Sequence, residues 1–135
     1  MEKGKNILFL VGRIILGLYY INSGLNHFMQ FKPMTEYTAA KGFPFPELGV
    51  IISGVMLLVG GITILTGFVP YLGVLSLVAF FLPVTFIMHN FWAEQDQQMR
   101  MAQMIHFLKN MGLMSSALMF LAIPEPWPYS LGRRK

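Results

Sequence analysis

The sequence opens with a long apolar run at residues 7–28, which reads ILFLVGRIILGLYYINSGLNHF. A helix needs roughly 20 apolar residues to cross the hydrocarbon core of a bilayer, and this run is long enough. Three further apolar runs follow at about 48–68, 71–91 and 104–123. The pattern predicts four membrane-spanning helices.

The composition also indicates an integral membrane protein. Of 135 residues, 55% are hydrophobic and only 12% are charged, which is about half the charged share of an ordinary soluble domain. The four runs use most of the chain, so we expect one membrane domain over residues 1–135. The first run has no clear small-residue cleavage site, and we expect it to be retained as a span. The chain has no cysteine, which excludes disulfides, thiolate metal sites and dithiol redox relays.

The connections between the runs set the topology. Only Val69 and Pro70 separate the second run from the third, which predicts a tight antiparallel hairpin. The first connection, residues 29–46, has helix start and stop signals at residues 33–41 and Gly42, and then a Phe-Pro-Phe-Pro sequence. We predict an all-α fold, namely a polytopic membrane four-helix bundle that runs up-down-up-down, with a short interfacial helix between the first and second spans.

The basic residues near the ends of the spans predict the orientation. Lys3 and Lys5 precede the first span, and residues 133–135 read Arg-Arg-Lys. The first and third connections carry fewer uncompensated basic residues. We expect a protein of the bacterial plasma membrane, the cell inner membrane. By the positive-inside rule, we expect both of its termini to lie in the cytoplasm.

The first span carries a regularly spaced stripe. Arg13, Gly17, Tyr20, Gly24 and His27 recur at spacings of four, three, four and three residues, which places them along one helix face. Glycines allow a neighbouring helix to approach closely, so we expect this face to pack against protein. Arg13 lies about 9 Å into its helix. Its side chain could extend to the inner headgroups, or bind backbone carbonyls or an anion.

All three histidines fall at the same end of the predicted spans. His27 closes the first span, His89 closes the third and His106 opens the fourth, so an up-and-down bundle places them in one layer near the outer face. Polar residues at this depth need partners or a function. Pro83, in the middle of the third span, predicts a kink that opens space beside this layer. The candidate ligand-binding layer comprises His27, Glu47, His89, Asn90, His106, Lys109 and Asn110.

Several interpretations of this layer stay open. Imidazole nitrogens suit zinc, iron or copper, which makes His27, His89 and His106 candidate metal ligands. However, no helix carries the close ligand pair of a specific metal motif, and we expect no metal. The side chains could instead hydrogen-bond to one another and hold the bundle together. Lys109 shares a face with His106 and could help to bind an anionic or quinonoid oxygen. Glu47 falls at a predicted helix N-terminus, where the helix dipole favours a carboxylate.

Several motifs occur together along nearly the whole chain, and they are Gly12-Arg13-Ile-Ile-Leu-Gly17, Ser23-Gly24-Leu-Asn-His27-Phe28, Gly42-Phe-Pro-Phe-Pro-Glu47-Leu, Gly60-Gly61, Gly67 and His89. Together they resemble the DoxX family of small four-helix membrane proteins. The resemblance implies family-like positions at Arg13, Gly17, Gly24 and His27. It also implies a link to quinones, because members are similar to the small subunit of thiosulfate:quinone oxidoreductase or are associated with quinone stress or membrane oxidoreductase complexes. Many members carry a glutamate before the paired glycines of the second span. Residues 54–60 contain no acid here, so the role of that carboxylate is not carried over.

We favour a redox-linked subunit that binds a quinone or similar ligand in the outer polar layer, with His27, His89 or Lys109 donating to its oxygens. The chain has no haem, flavin or thiol motif, so a partner oxidoreductase must bring the redox cofactor. The alternative is a non-enzymatic scaffold or assembly subunit that binds other membrane proteins through its small-residue stripes and its methionine-rich third connection. Transport is a weaker alternative, because no charged path crosses the middle of the spans. The expected partners are the lipid bilayer and a membrane or membrane-associated redox protein or a second copy of the chain, but no nucleic acid.

Overall fold

The computed structural model describes residues 2–132, and this part of the chain is all-helical, as predicted. A 3-10 turn at Phe91–Ala93 follows the fourth helix. Residues 133–135, on which the predicted orientation partly depends, lie outside the described residues. The α-helices are α1 (Glu2–Met29), α2 (Phe31–Ala40), α3 (Pro46–Thr66), α4 (Pro70–Met88) and α5 (Gln97–Phe120).

Glycines bring α1 and α3 into close contact. A Cβ atom built at Gly17 would lie 3.0 Å from the carbonyl oxygen of Gly61, and one at Gly24 would lie 3.0 Å from that of Gly54. Gly17 thus faces Gly61, and Gly24, later in α1, faces Gly54, earlier in α3. The two helices therefore run antiparallel. The buried residues of α1 all belong to the stripe predicted from its spacing, which confirms that this face packs against protein.

A tight turn at residues 67–69 joins α3 to α4, close to the predicted hairpin. Gly67 ends α3 in the left-handed region, with φ of 70°, and its N–H donates to the carbonyl of Thr63 at 2.8 Å. A residue without a side chain adopts this conformation at little cost. Further along, the Ser76 hydroxyl donates to the Met56 carbonyl at 2.8 Å and ties the two helices together.

The other two helices enclose the far end of α4. Phe86 of α4 contacts Phe107 of α5, with 5.3 Å between ring centres, and His89, just after α4, bonds Gln103 earlier in α5. The two helices therefore run antiparallel. The short helix predicted at residues 33–41 is present as α2 and packs against α3. Gly42, with φ of 83°, follows it. We call the region where α2, the end of α4 and the start of α5 meet the histidine end.

Three helical segments are long and apolar enough to cross a membrane, namely Glu2–Met29, Pro46–Thr66 and Pro70–Ala93. Large apolar side chains such as Leu8 and Ile15 are exposed on the outside of α1, whereas charged Arg13 is buried inside. An apolar exterior of this kind suits lipid rather than water. The predicted fourth span lies on α5, which is more polar than the other three. A membrane crossing by α5, and an interfacial position for α2, stay predictions.

Candidate functional site

A cavity of about 650 Å³ lies at the histidine end and is lined by residues from all five helices. Its walls are largely apolar and include Met56, Phe80, Phe81 and Ile87. The volume is within the range of about 300–1,000 Å³ that small-molecule sites occupy. The cavity therefore has the size and the apolar lining that are typical of a small-molecule site.

Four of the seven candidate residues line this cavity, and they are His27, His89, Lys109 and Asn110. They come from three helices, α1, α4 and α5. Pro83, in the interior of α4, and Ala79 one turn before it also line the cavity. The space that we predicted beside Pro83 is therefore present. Whether these side chains bind a ligand stays a prediction at this point.

The other three candidate residues lie outside the cavity lining. Glu47 is exposed in the first turn of α3, where the helix dipole favours its charge. Asn90 accepts a hydrogen bond of 2.8 Å from Lys41, whose ammonium also lies 3.4 Å from the carboxylate of Glu94. His106 is exposed and stacks on His89, with 5.1 Å between ring centres. These contacts are structural and fasten the end of α2 and the start of α5 to the end of α4.

The three histidines are not gathered into one cluster. Across residues 2–132, no group of three His, Asp or Glu side chains is arranged to hold a metal ion. His89 and His106 lie ring against ring, whereas His27 packs edge-on against Phe80 at 6.1 Å between ring centres. The three rings thus lie at one end of the fold, but they are not grouped closely enough to hold one metal ion together.

A chain of hydrogen bonds fixes the orientation of His89. The Tyr37 hydroxyl donates to the Met88 carbonyl at 2.8 Å, and the Gln103 amide nitrogen donates to the Tyr37 oxygen at 2.8 Å. The Gln103 amide oxygen therefore faces Nδ1 of His89, at 2.8 Å. An amide oxygen can only accept, so Nδ1 carries the proton and Nε2 of the neutral ring carries a lone pair.

His27 is held in the same way. Its Nδ1 lies 2.8 Å from the backbone carbonyl of Ser23, one turn earlier in α1. A carbonyl oxygen only accepts, so Nδ1 of His27 also carries the proton, and Nε2 of the neutral ring is an acceptor. We expected His27 and His89 to donate to a ligand. The hydrogen bonds instead make both neutral rings acceptors at Nε2. Donation by Lys109 to a ligand stays a prediction.

Tyr20 adds a further polar group to the cavity lining. Its side chain is 1% exposed, and its hydroxyl makes no hydrogen bond of standard geometry with the described residues, although the Ser116 hydroxyl of α5 is a polar neighbour. Buried hydroxyls nearly always have a partner in the protein, in ordered water or in a ligand. Because Tyr20 lines the cavity, its hydroxyl counts among the polar groups at that surface.

Arg13 forms a second buried polar centre, at the opposite end of the fold. It is fully buried, and its guanidinium donates to the carbonyls of Ile64 at 3.0 Å, Leu65 at 3.1 Å and Pro128. It also lies over the ring of Trp127, 5.4 Å from its centre. Of the alternatives considered for Arg13, extension to the headgroups is wrong and binding to backbone carbonyls is confirmed. The positive charge lies at the C-terminal end of α3, where the helix dipole favours it.

Sequence reasoning missed Tyr37 and Gln103, which fix the orientation of His89. Gln103 precedes His106 by three residues and so shares its helix face, which is the one signal that could have found it. Tyr37 had no such signal, because its partners lie 51 and 66 residues away along the chain.

Comparison with known proteins identifies a family and relatives of this chain. The family model DoxX matches residues 8–90, from α1 to the end of α4. Inner membrane protein YphA of Escherichia coli is 32% identical over 130 residues, which covers 96% of this chain and 91% of that protein. Inner membrane protein YqjF of the same organism is 30% identical over 135 residues, which covers 98% of this chain and 95% of that protein. No solved structure matches.

Proposed function

The chain belongs to the DoxX family, and on this premise we propose that it is a redox-linked subunit that binds a quinone or similar ring ligand in the cavity at the histidine end. The cavity of about 650 Å³ is the observation that carries this proposal. Apolar walls with a few polar groups are typical of sites that hold a flat organic ligand. The family match and the two inner membrane proteins that resemble this chain support a location in the inner membrane. Quinones are dissolved in the lipid of such a membrane.

The lining residues suit a quinone in three respects. Phe80 and Phe81 provide aromatic walls. The ammonium of Lys109 can donate to a ring oxygen. Leu48 and Ile52 line the cavity and are also exposed on the outside of α3, so a prenyl tail could pass over them into lipid.

Electron transfer would require a second protein. The chain has no cysteine, and its sequence shows no haem or flavin motif. A ring ligand held here would exchange electrons with a cofactor that a partner oxidoreductase supplies. The proposed role of this chain is to bind and orient the ligand.

We test this function by ligand binding. The purified protein is titrated with decylubiquinone and menadione, and we expect saturable binding. Lys109→Met should weaken binding about tenfold or more, because it removes the donor to a ring oxygen. His106→Met is the matched control, since His106 is exposed on the same helix and lies outside the cavity. Thermal unfolding of both variants separates loss of binding from loss of structure. Absence of saturable binding by the wild-type protein would refute the proposal.

We also propose that the chain crosses the membrane four times, in an up-down-up-down bundle with α2 at the outer interface and both termini in the cytoplasm. α5 has 24 residues, which gives it a length of about 36 Å, against roughly 30 Å for the hydrocarbon core. Its exposed face includes Ile105, Leu108 and Met119, which suits contact with lipid.

The absence of native cysteine allows a direct test of this topology. Single cysteines are introduced at exposed positions by Lys5→Cys, Asn26→Cys, Gln98→Cys and Glu125→Cys. In intact cells, a membrane-impermeant maleimide should label positions 26 and 98 and spare positions 5 and 125. Equal labelling of positions 98 and 125 would show that α5 does not cross.

Of the two features behind the scaffold alternative, the methionine-rich connection is still available to a partner, whereas the small-residue stripe of α1 is not. The close approach of Gly17 and Gly24 to α3 occupies the small-residue stripe within the chain itself, so this stripe is not free to bind another protein. Met99, Met101 and Met104 are exposed and could still bind a partner. Co-purification that depends on these methionines, in a protein that binds no quinone, would favour the scaffold.

A further inference from the structure

We propose that the cavity selects the reduced, hydroxyl-bearing form of its ring ligand, a hydroquinone or related phenol, over the oxidised quinone. This inference rests on the proposed function and specifies the chemical form of the ligand. It follows from the donors and acceptors that the lining offers, and above all from its two imidazoles.

Both imidazoles present an acceptor rather than a donor. Nδ1 of His27 and Nδ1 of His89 each donate to an oxygen that can only accept, at 2.8 Å in both cases. In each neutral ring, Nε2 is then the remaining nitrogen, and it carries a lone pair. A ligand hydroxyl can donate to such a nitrogen, whereas a quinone oxygen, which also carries only lone pairs, cannot.

The surroundings hold His89 in this state. To donate from Nε2 as a neutral ring, His89 would have to lose the proton on Nδ1 and with it the bond to Gln103. Gln103 cannot compensate by turning its amide over, because its nitrogen already donates to Tyr37, whose hydroxyl donates to Met88. Gln103 is also 9% exposed, and a buried amide that loses its partners is destabilising.

The hydroxyl of Tyr20 agrees with this choice, since it lines the cavity and makes no hydrogen bond of standard geometry with the described residues. A hydroxyl both donates and accepts, so Tyr20 can donate to a hydroquinone oxygen while a hydroquinone O–H donates to an imidazole. Lys109 can donate to the same class of oxygen. A hydroquinone thus matches the donors and the acceptors of the lining, whereas a quinone matches the donors alone and leaves the imidazole nitrogens without a partner.

The test compares three molecules of nearly the same shape. Duroquinone, durohydroquinone and the dimethyl ether of durohydroquinone are each titrated anaerobically into the purified protein at pH 8, where an ordinary imidazole is neutral. We expect durohydroquinone to bind about tenfold more tightly than the other two, the ratio that one net hydrogen bond supplies. The ether has the oxygens of the reduced ring but no O–H, so it separates hydrogen-bond donation from the oxidation state of the ring.

Variants identify the group responsible. His89→Phe keeps an aromatic ring and removes the acceptor, so it should weaken durohydroquinone binding about tenfold and leave duroquinone binding nearly unchanged. His106→Phe, on the exposed ring that stacks against His89, should change neither. If the wild-type protein binds duroquinone or the ether as tightly as durohydroquinone, the selection is refuted while the proposed function stands. If it binds none of the three, the proposed function fails as well. The comparison of ligands on the wild-type protein remains decisive even if His89→Phe does not fold.

Discussion

Replacement of Arg13 by methionine should destabilise the protein strongly. Its guanidinium donates to the carbonyls of Ile64, Leu65 and Pro128 in a fully buried position. Ile64 and Leu65 lie in the last turn of α3, where carbonyls have no partner within the helix. Arg13→Met fills much of the same space but leaves these carbonyls without a donor.

The size of the effect follows from the number of bonds lost. A hydrogen bond to a charged group contributes about 1.5–3 kcal/mol, so three contribute roughly 4.5–9 kcal/mol. The apolar variant no longer requires the desolvation of a guanidinium, which offsets part of this loss. We expect a net loss of about 3–5 kcal/mol, which at roughly 3 °C per kcal/mol lowers the Tm by about 10–15 °C.

The assay is thermal unfolding of detergent-solubilised protein, with Arg100→Met as the matched control, because Arg100 is exposed on α5. Arg13→Lys should fall between wild type and Arg13→Met, since a single ammonium cannot reproduce the planar fork of a guanidinium. Trp127 supplies a second readout. It is 3% exposed, and in a Trp92→Phe background its emission should move to longer wavelength when Arg13 is replaced. A Tm within about 2 °C of wild type for Arg13→Met would refute the reasoning.

Two further predictions concern the helix contacts. Gly24→Ala should lower stability by about 1–3 kcal/mol, because the added Cβ would lie 2.8 Å from the Leu58 side chain. Gly12→Ala, where a Cβ meets nothing within 4 Å, should leave the Tm unchanged or slightly raised, and equal effects of the two would contradict the close approach. Tyr37→Phe should cost about 1–3 kcal/mol because it removes two hydrogen bonds. In a double-mutant cycle with Gln103→Met the losses should be less than additive, and strict additivity would show that the two side chains are not coupled.

Features that depend on spacing along one helix could be predicted from the sequence. The stripe from Arg13 to Gly24 follows from the helical period, and the turn near Gly67 and the short helix α2 follow from glycine and proline signals. The space beside Pro83 follows from the hydrogen bond that proline cannot make. Each of these needs only the residue and its near neighbours in the chain.

Features that depend on where a helix ends could not be predicted in the same way. Glu47, a member of the candidate ligand-binding layer, lies seven residues before Gly54 in α3. Gly54 lies opposite Gly24, and because the helices run antiparallel, Glu47 would lie opposite a position near residue 31. α1 ends at Met29, so this helix does not extend far enough to cover the carboxylate, which is exposed. The end of α1 and the start of α3 thus leave Glu47 outside the cavity lining.

Contacts between distant segments were likewise beyond the sequence. The residues that orient His89 come from α2 and α5, and the pairing of Tyr37 with Gln103 spans 66 residues. Arg13 offered no sign that its third acceptor lies 115 residues later. Periodicity describes one helix at a time, whereas these bonds depend on how separate helices are placed relative to one another.

The bond between Arg13 and Pro128 has a consequence for biogenesis. The ribosome makes Arg13 more than a hundred residues before it makes the last acceptor of the guanidinium, since 115 positions separate Arg13 from Pro128. The nascent chain therefore enters the bilayer with a cation that gains its full set of acceptors only after residue 128 has been made. Closure of this end of the protein is thus a late event, and a chain cut short before residue 128 would keep an incompletely satisfied cation that surveillance proteases could recognise.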